Sequence, residues 1–336
     1  MRQRRLLIVS PKFHSYWKSI EGAFRQLGYE VATHCYDDAT AAEKALNKVR
    51  FELVGRLRGD RMHVQSQEVV SQRAIQAVRH HRPDVVLVIR GDDLTSDFWA
   101  SVDESGARRA LWLYDEVRRM KYSPGDLLRL SPIATYSRHD EEWLCGLGVE
   151  TMHVANAYDP TRPLPPRRPR PEISFVGARL PKREALLLGL ADAGIPVRAY
   201  GRDWSSHPVD RLRTWRWTTP RLSNARDLPL EEAWGVMRDS SATVNIHGDQ
   251  DGFTMRTFEA PGVGAVQLID RPDVEEYFEP EREVLVFTDL DSLVEQSHRA
   301  VSDPRAMTAI RERGAKRALS DHTFVHRARS LELLWA

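Results

Sequence analysis

Two short stretches of this chain gather residue types that could hold and move an anionic group. The denser runs Asn245-Ile-His247-Gly248-Asp-Gln-Asp251-Gly252-Phe253-Thr-Met-Arg256-Thr-Phe258-Glu259-Ala-Pro-Gly262-Val-Gly264-Ala265. Backbone this rich in glycine, at Gly252 and Gly262 among others, can approach a ligand closely. Its helical part sets Arg256 and Glu259 three residues apart on one face. That spacing serves an ordinary ion pair or a cation and a carboxylate offered to a ligand. Met255 and Phe258 make a separate apolar pair.

The second stretch is Ser174-Phe-Val-Gly177-Ala-Arg179-Leu-Pro-Lys182-Arg183-Glu184. A buried strand ends in glycine, and a helix follows at once with Arg179, Lys182 and Arg183 in or just before its first turn. The helix macrodipole is positive there and ordinarily favours anions. Cations at that end make sense if a diphosphate or similar anion sits between them and the free backbone N–H groups. Otherwise they form a solvated basic face. The stretch is neither GxGxxG nor a Walker loop, which argues against NAD and P-loop NTPase chemistry.

A proton acceptor would complete such a site. His14 follows the first apolar run, and its ordinary pKa suits base catalysis near neutrality. Asp92 and Asp93 follow Val85–Ile89, and Asp115 follows Ala110–Tyr114; each could equally be a helix cap or a surface turn. His80, His81, His322 and His326 read as solvated helix faces. Asp249-x-Asp251 and Asp289-x-Asp291 have the look of acidic metal pairs, but carboxylates two apart are too common to count. No metal and no cofactor is expected. Cys35 and Cys145 give neither a disulfide framework nor a zinc site.

The elements that would position these residues are legible as apolar runs alternating with helical patterns. Leu6–Val9 precedes an amphipathic stretch from Trp17 to Leu27, closed by Gly28. Then come Glu30–His34, a helix-like pattern from Asp37 to Val49, a less readable 51–64, and a helical segment near Gln65–His80. Runs follow at Val85–Ile89, Ala110–Tyr114, Pro132–Ser137 and Thr151–Ala155. Residues 159–171 hold six prolines in thirteen positions, which predicts a semi-rigid linker. The pattern then restarts with Glu172–Gly177, a helix over Pro181–Ala193, Pro196–Gly201, a helix over Leu230–Arg238 and Ala242–Gly248. A helix over Met255–Pro261, Ala265–Asp270, Glu283–Phe287 and closing helices from Asp291 complete it. Continuous β-branched runs separated by helices predict two doubly wound α/β domains, with a ligand cleft at the carboxyl ends of the strands.

Length and charge fit that division. At 336 residues the chain exceeds one ordinary core. Net charge is +1, and of the 49 basic residues 42 are Arg and 7 Lys. The excess of arginine is read first as composition, while a local phosphate-binding role needs a particular Arg in a site. Charge does not separate along the chain, so nucleic acid is not the favoured partner, although a local patch stays open. No run approaches the ~18 apolar residues of a membrane span, and a cytoplasmic protein is expected.

The 245–265 stretch resembles the donor-site segment of GT-B glycosyltransferases, in particular the CgeB/YkvP-like (spore-protein glycosyltransferase-like) family. The matching residues are Asn245, His247, Gly252-Phe253, Arg256, Phe258-Glu259-Ala260, Gly262 and Gly264. Phe175–Arg183, Tyr200–Trp204 and 283–291 also resemble it. The resemblance implies two Rossmann-like domains facing a cleft: an acceptor-side domain over 1–158, a donor domain over 172–320, and a helix over 321–336 returning to the first domain. It implies that Glu259 bonds the ribose of a nucleotide-diphosphate sugar and that Arg256 with Lys182 and Arg183 neutralises the diphosphate. His247, Gly177, Arg179, Gly252, Phe253 and Gly262 would line the donor, and Trp204 would lie beside the base or in the core. Asp251 stands where many retaining members carry Glu, eight residues before Glu259, and this leaves the stereochemical course open. His14 and Asp115 are the leading candidates for the base. The implied reaction moves a sugar to a small-molecule, glycan or protein acceptor. Alternatives are transfer to a modified DNA base and a non-catalytic nucleotide-sugar binding module.

Overall fold

The computed structural model describes residues 3–37 and 67–336. The helix-like pattern beyond Asp37 and the stretch at 51–64 lie outside them. The chain divides into two compact units, one formed by 1–155 with 324–336 and the other by 156–323. Among the described residues no helix is long and apolar enough to cross a membrane.

The first unit is built on a six-stranded parallel sheet of order β2-β1-β3-β4-β5-β6. Its strands are β1 (Arg5–Ser10), β2 (Glu30–Cys35), β3 (Val85–Ile89), β4 (Arg108–Leu113), β5 (Ile133–Thr135) and β6 (Thr151–His153). Every residue of β3 is buried, as a strand covered on both faces requires. The helices between them are α1 (Tyr16–Gln26), α2 (67–81), α3 (Ser96–Glu104), α4 (Pro124–Arg129) and α5 (Arg138–Gly146). On α1 the buried residues Ile20, Ala23 and Phe24 share one face, and Gly28 at φ +90 ends the helix in the left-handed region that glycine enters without strain. The last helix, α12 (Phe324–Glu332), closes this unit rather than the second. Trp335 packs against Phe24, with ring centroids 5.8 Å apart, and its indole N–H donates to the Tyr29 hydroxyl at 3.2 Å.

The second unit repeats the plan with order β12-β11-β10-β7-β8-β9, all parallel. Its elements are β7 (Arg170–Val176), α6 (Pro181–Asp192), β8 (Val197–Tyr200), α7 (Pro208–Thr214), β9 (Ser223–Ala225), α8 (Leu230–Asp239) and β10 (Ser240–Asn245), then α9 (Met255–Gly262), β11 (Gln267–Ile269), β12 (Leu285–Val286), α10 (Leu290–Ser302) and α11 (Pro304–Asp321). Pro181 sits in the first turn of α6, where a missing N–H costs nothing. The proline-rich stretch is a strap on this unit, not a free linker. Arg162 pairs with Glu231 at 2.9 Å, and Arg238 donates to the Pro165 carbonyl at 2.9 Å. The Pro165 ring lies so close to Gly235 that a Cβ there would fall 2.4 Å away.

Candidate functional site

The carboxyl ends of β7, β8, β10 and β11 bring most of the flagged residues of the second unit together. Gly177, just past β7, donates its N–H to the Tyr200 carbonyl at 3.0 Å. Gly201, just past β8, approaches so closely that a Cβ would lie 2.5 Å from the Gly177 carbonyl oxygen. That oxygen also accepts the Trp204 indole N–H at 2.9 Å, and the indole packs edge-on to Phe175. Trp204 is fully buried in the core. It braces two strand ends from beneath and has no face to offer a nucleotide base.

The cations divide into two kinds. Arg179 lies in a two-pronged pair with Glu184 at 2.6 and 2.9 Å and donates to the Thr218 carbonyl at 2.8 Å. Those bonds from Arg179 hold the Glu184 carboxyl below its ordinary range. Its charge is therefore already matched, and Arg179 orders a loop. Lys182 is similarly matched by Asp270 at 2.6 Å. Arg183 and Arg256 differ. Arg183 donates to the carbonyls of Ile246 at 2.9 Å and Ala178 at 3.2 Å, and Arg256 to that of Val176. Neither has a carboxylate within 4 Å among the described residues, and Arg256 and Glu259 form no ion pair. The Arg256 Nε is buried without an acceptor. Burial, and secondarily the Arg256 charge, push the Arg183 pKa down, with Asp270 opposing weakly. Two guanidinium groups held against strand-end carbonyls, each making the other less favourable, are a place where an anion lowers the energy.

The loop after β10 is held largely by residues outside the motif. Asn245 donates to Thr257 Oγ1 at 3.2 Å and Gln267 Oε1 at 3.0 Å, tying β10 to α9 and β11. His247 is buried, and one oxygen of Asp270 accepts from both its backbone N–H and its Nδ1 at 2.9 Å. A carboxylate can only accept, so Nδ1 carries a proton and Nε2 is the ring nitrogen left to face a ligand. Nε2 is buried with no partner. Burial alone would raise the Asp270 pKa, yet the bonds from His247 and Lys182 outweigh it and hold the carboxyl below its ordinary range. Arg271 donates to the carbonyls of Gln250 and Asp251 at 3.1 and 2.9 Å and stacks on Phe253, 4.5 Å from the ring centroid. Asn156 fixes the Phe253 carbonyl at 2.8 Å. Gly252 is buried between these anchors, and Asp251 is half-buried beside it. Glu259 is buried on α9. Gly262 has another function, since a Cβ there would lie 2.5 Å from the Tyr158 ring. It is a packing glycine, not a ligand contact.

In the first unit His14 is exposed in a short turn after β1, at φ +45, with its ring edge-on to Phe13. Asp115, just past β4, has Arg119 at 3.6 Å and Arg90 at 3.8 Å. Arg90 holds the buried Asp92 more tightly, at 2.9 Å, and Lys121 pairs with Asp93 at 2.6 Å. These two acids therefore serve the local fold.

Asp270 and Arg271 were not singled out from the sequence. Their signal was positional, because they follow the end of β11 as His247 follows the end of β10.

Residues 182–332 match the model of a family described as glycosyl transferase-like. No curated protein matches the chain in sequence. Solved structures match over nearly all of it. A glycosyltransferase from Rickettsia africae ESF-5 has a TM-score of 0.64 at 11% identity, covering 99% of this chain and 98% of that one. Anabaena Alr3699/HepE in complex with UDP-glucose has a TM-score of 0.61 at 12% identity, covering 98% and 99%. The DNA-modifying enzyme β-glucosyltransferase, solved with and without uridine diphosphoglucose, has a TM-score of 0.57 at 12% identity, covering 98% of both chains. The chain has the α/β two-domain fold of GT-B glycosyltransferases.

Proposed function

We propose that this protein is a glycosyltransferase of CgeB/YkvP-like type that takes a UDP-sugar as donor. The observation that carries the proposal is the pair of guanidinium groups, Arg183 and Arg256, fixed on strand-end carbonyls with no carboxylate on either. A diphosphate would lie between them. Two of the fold neighbours were solved with UDP-glucose, which makes UDP the first nucleotide to try. Glu259 is assigned to the ribose hydroxyls, and the buried, unpartnered His247 Nε2 to a hydroxyl of the donor. The leaving group is a nucleoside diphosphate, so stabilising its growing charge carries much of the catalysis. With two fixed guanidinium groups supplying that charge, turnover is expected to survive EDTA.

The test is a panel of UDP-, GDP- and dTDP-sugars scored by thermal shift and by slow donor hydrolysis. A UDP-sugar should stabilise the wild type, and Glu259→Ala should abolish turnover. If no nucleotide sugar stabilises the protein, the reading fails. His14 and Asp115 are the proposed alternatives for the acceptor-activating base. Loss of transfer with retained donor binding in His14→Ala or Asp115→Asn identifies which one acts.

A further inference from the structure

The segment between β8 and β9 differs from the rest of the second unit in what it shows to solvent. α7 turns its acidic residue inward, where the buried Asp210 accepts from Arg226 at 2.8 and 3.0 Å. Outward, Val209, Leu212 and Trp215 recur every third residue at 46, 60 and 74% exposure, and Trp217 follows at 61%. A single exposed apolar side chain is ordinary, but four within residues 209–217 are not. Arginines interleave with them. Among the described residues Arg211, Arg213 and Arg221 have no carboxylate within 4 Å, and Arg216 reaches only Asp203, at 4.0 Å. The segment is nonetheless tied down. Arg179 donates to the Thr218 carbonyl at 2.8 Å, and Arg216 donates to the Arg179 carbonyl at 3.3 Å.

We propose that residues 208–221 dock this protein onto an anionic lipid surface. Three side-chain chemistries occur together here, and a bilayer interface uses all three. Indole rings settle at headgroup level, aliphatic side chains enter the acyl boundary, and guanidinium groups meet lipid phosphates. A nucleic-acid strand would engage the tryptophans and arginines but has no use for Val209 and Leu212. A neutral glycan would stack on the indoles without calling for the arginines. The two ties to Arg179 connect the segment to the loop that leads into Arg183. Docking would thus present the donor loop to a lipid-borne acceptor. Only that last consequence rests on the donor reading.

Vesicle co-sedimentation of the full chain tests the proposal. The wild type should sediment with phosphatidylcholine vesicles containing phosphatidylglycerol and stay in solution with phosphatidylcholine alone. Trp215→Ala/Trp217→Ala should weaken the association by about tenfold or more. Arg213→Glu/Arg221→Glu should do the same, and roughly 0.5 M salt should weaken the wild type. Stabilisation by UDP should be unchanged in both variants, which shows that they are folded. The proposal is overturned if the wild type ignores anionic vesicles or if both variants bind them as it does. Tighter binding to a single-stranded oligonucleotide that displaces the vesicles would also overturn it. Loss of UDP stabilisation in the wild type, with vesicle binding intact, would defeat the donor reading and leave this one standing.

Discussion

Burial and the neighbouring Arg256 charge lower the Arg183 pKa and make its charge costly to hold, so its position favours ligand binding over stability. Arg183→Met and Arg256→Met should each lower UDP affinity by about tenfold or more, while the thermal midpoint without nucleotide changes little or rises. Titration calorimetry beside a melting curve reads both, and unchanged UDP affinity would remove the diphosphate assignment. Asp270 makes a prediction of the opposite kind. Its folded-state pKa is depressed, so its contribution is complete above its unfolded value of about 4 and fades as pH falls through the folded value. Asp270→Asn should therefore destabilise the protein near neutrality and flatten the acid limb of its stability profile. A variant whose stability follows the wild type from neutral to acid pH would show that the His247–Asp270–Lys182 chain contributes nothing. At this scale the sequence was legible where a side chain's place follows from the element that carries it, as for Arg183 and Arg256, which do meet at the strand ends. It was not legible for Arg179, because the Glu184 that matches its charge was five residues away and only the loop's path brings the two together. Trp204 was left open between base and core for a related reason: a tryptophan after a strand can point up or under, and Gly177 draws it under.

At the scale of elements, the glycines of the motif separate into two physical classes. Gly262 on α9 faces the Tyr158 ring, with both backbones fixed by the strap and the helix. Gly262→Ala should cost about 1–3 kcal/mol by overpacking, with activity per folded molecule retained. Gly264 has open space where a Cβ would go but sits at φ +78, so Gly264→Ala should cost about 1 kcal/mol through the backbone alone. Urea midpoints distinguish the two, since enlarging the cavity by Tyr158→Leu should rescue the first and not the second. The alternation of strands and helices was readable from β-branched runs because strands buried on both faces need them. α3 and α5 were passed over, being short and without an unbroken apolar stripe. The prolines of 159–171 correctly excluded helix, but not strand, since Arg170 and Pro171 open the central β7. Nothing in them indicated that Pro165 would pack on Gly235.

At the scale of the molecule, the first unit depends on residues 324–336 for part of its core. Trp335 is buried against Phe24 and Tyr29, and truncating such a side chain typically costs about 3–5 kcal/mol. Trp335→Ala, or a chain stopped at Thr323, should lower the unfolding transition of the first unit. UDP should still stabilise the second, which differential scanning calorimetry with and without nucleotide can resolve. One transition falling as a whole, with UDP stabilisation lost, would mean that the units do not unfold separately.

The return of α12 also sets an order of events during synthesis. Domains usually fold as they emerge, the amino-terminal one first. Here the second unit, 156–323, is complete as soon as its last residue leaves the ribosome. The first has been exposed longer but still lacks the helix and tryptophan that cover Phe24. The unit that begins the chain is thus the last to close, and until then its unsatisfied apolar surface is what a chaperone would meet.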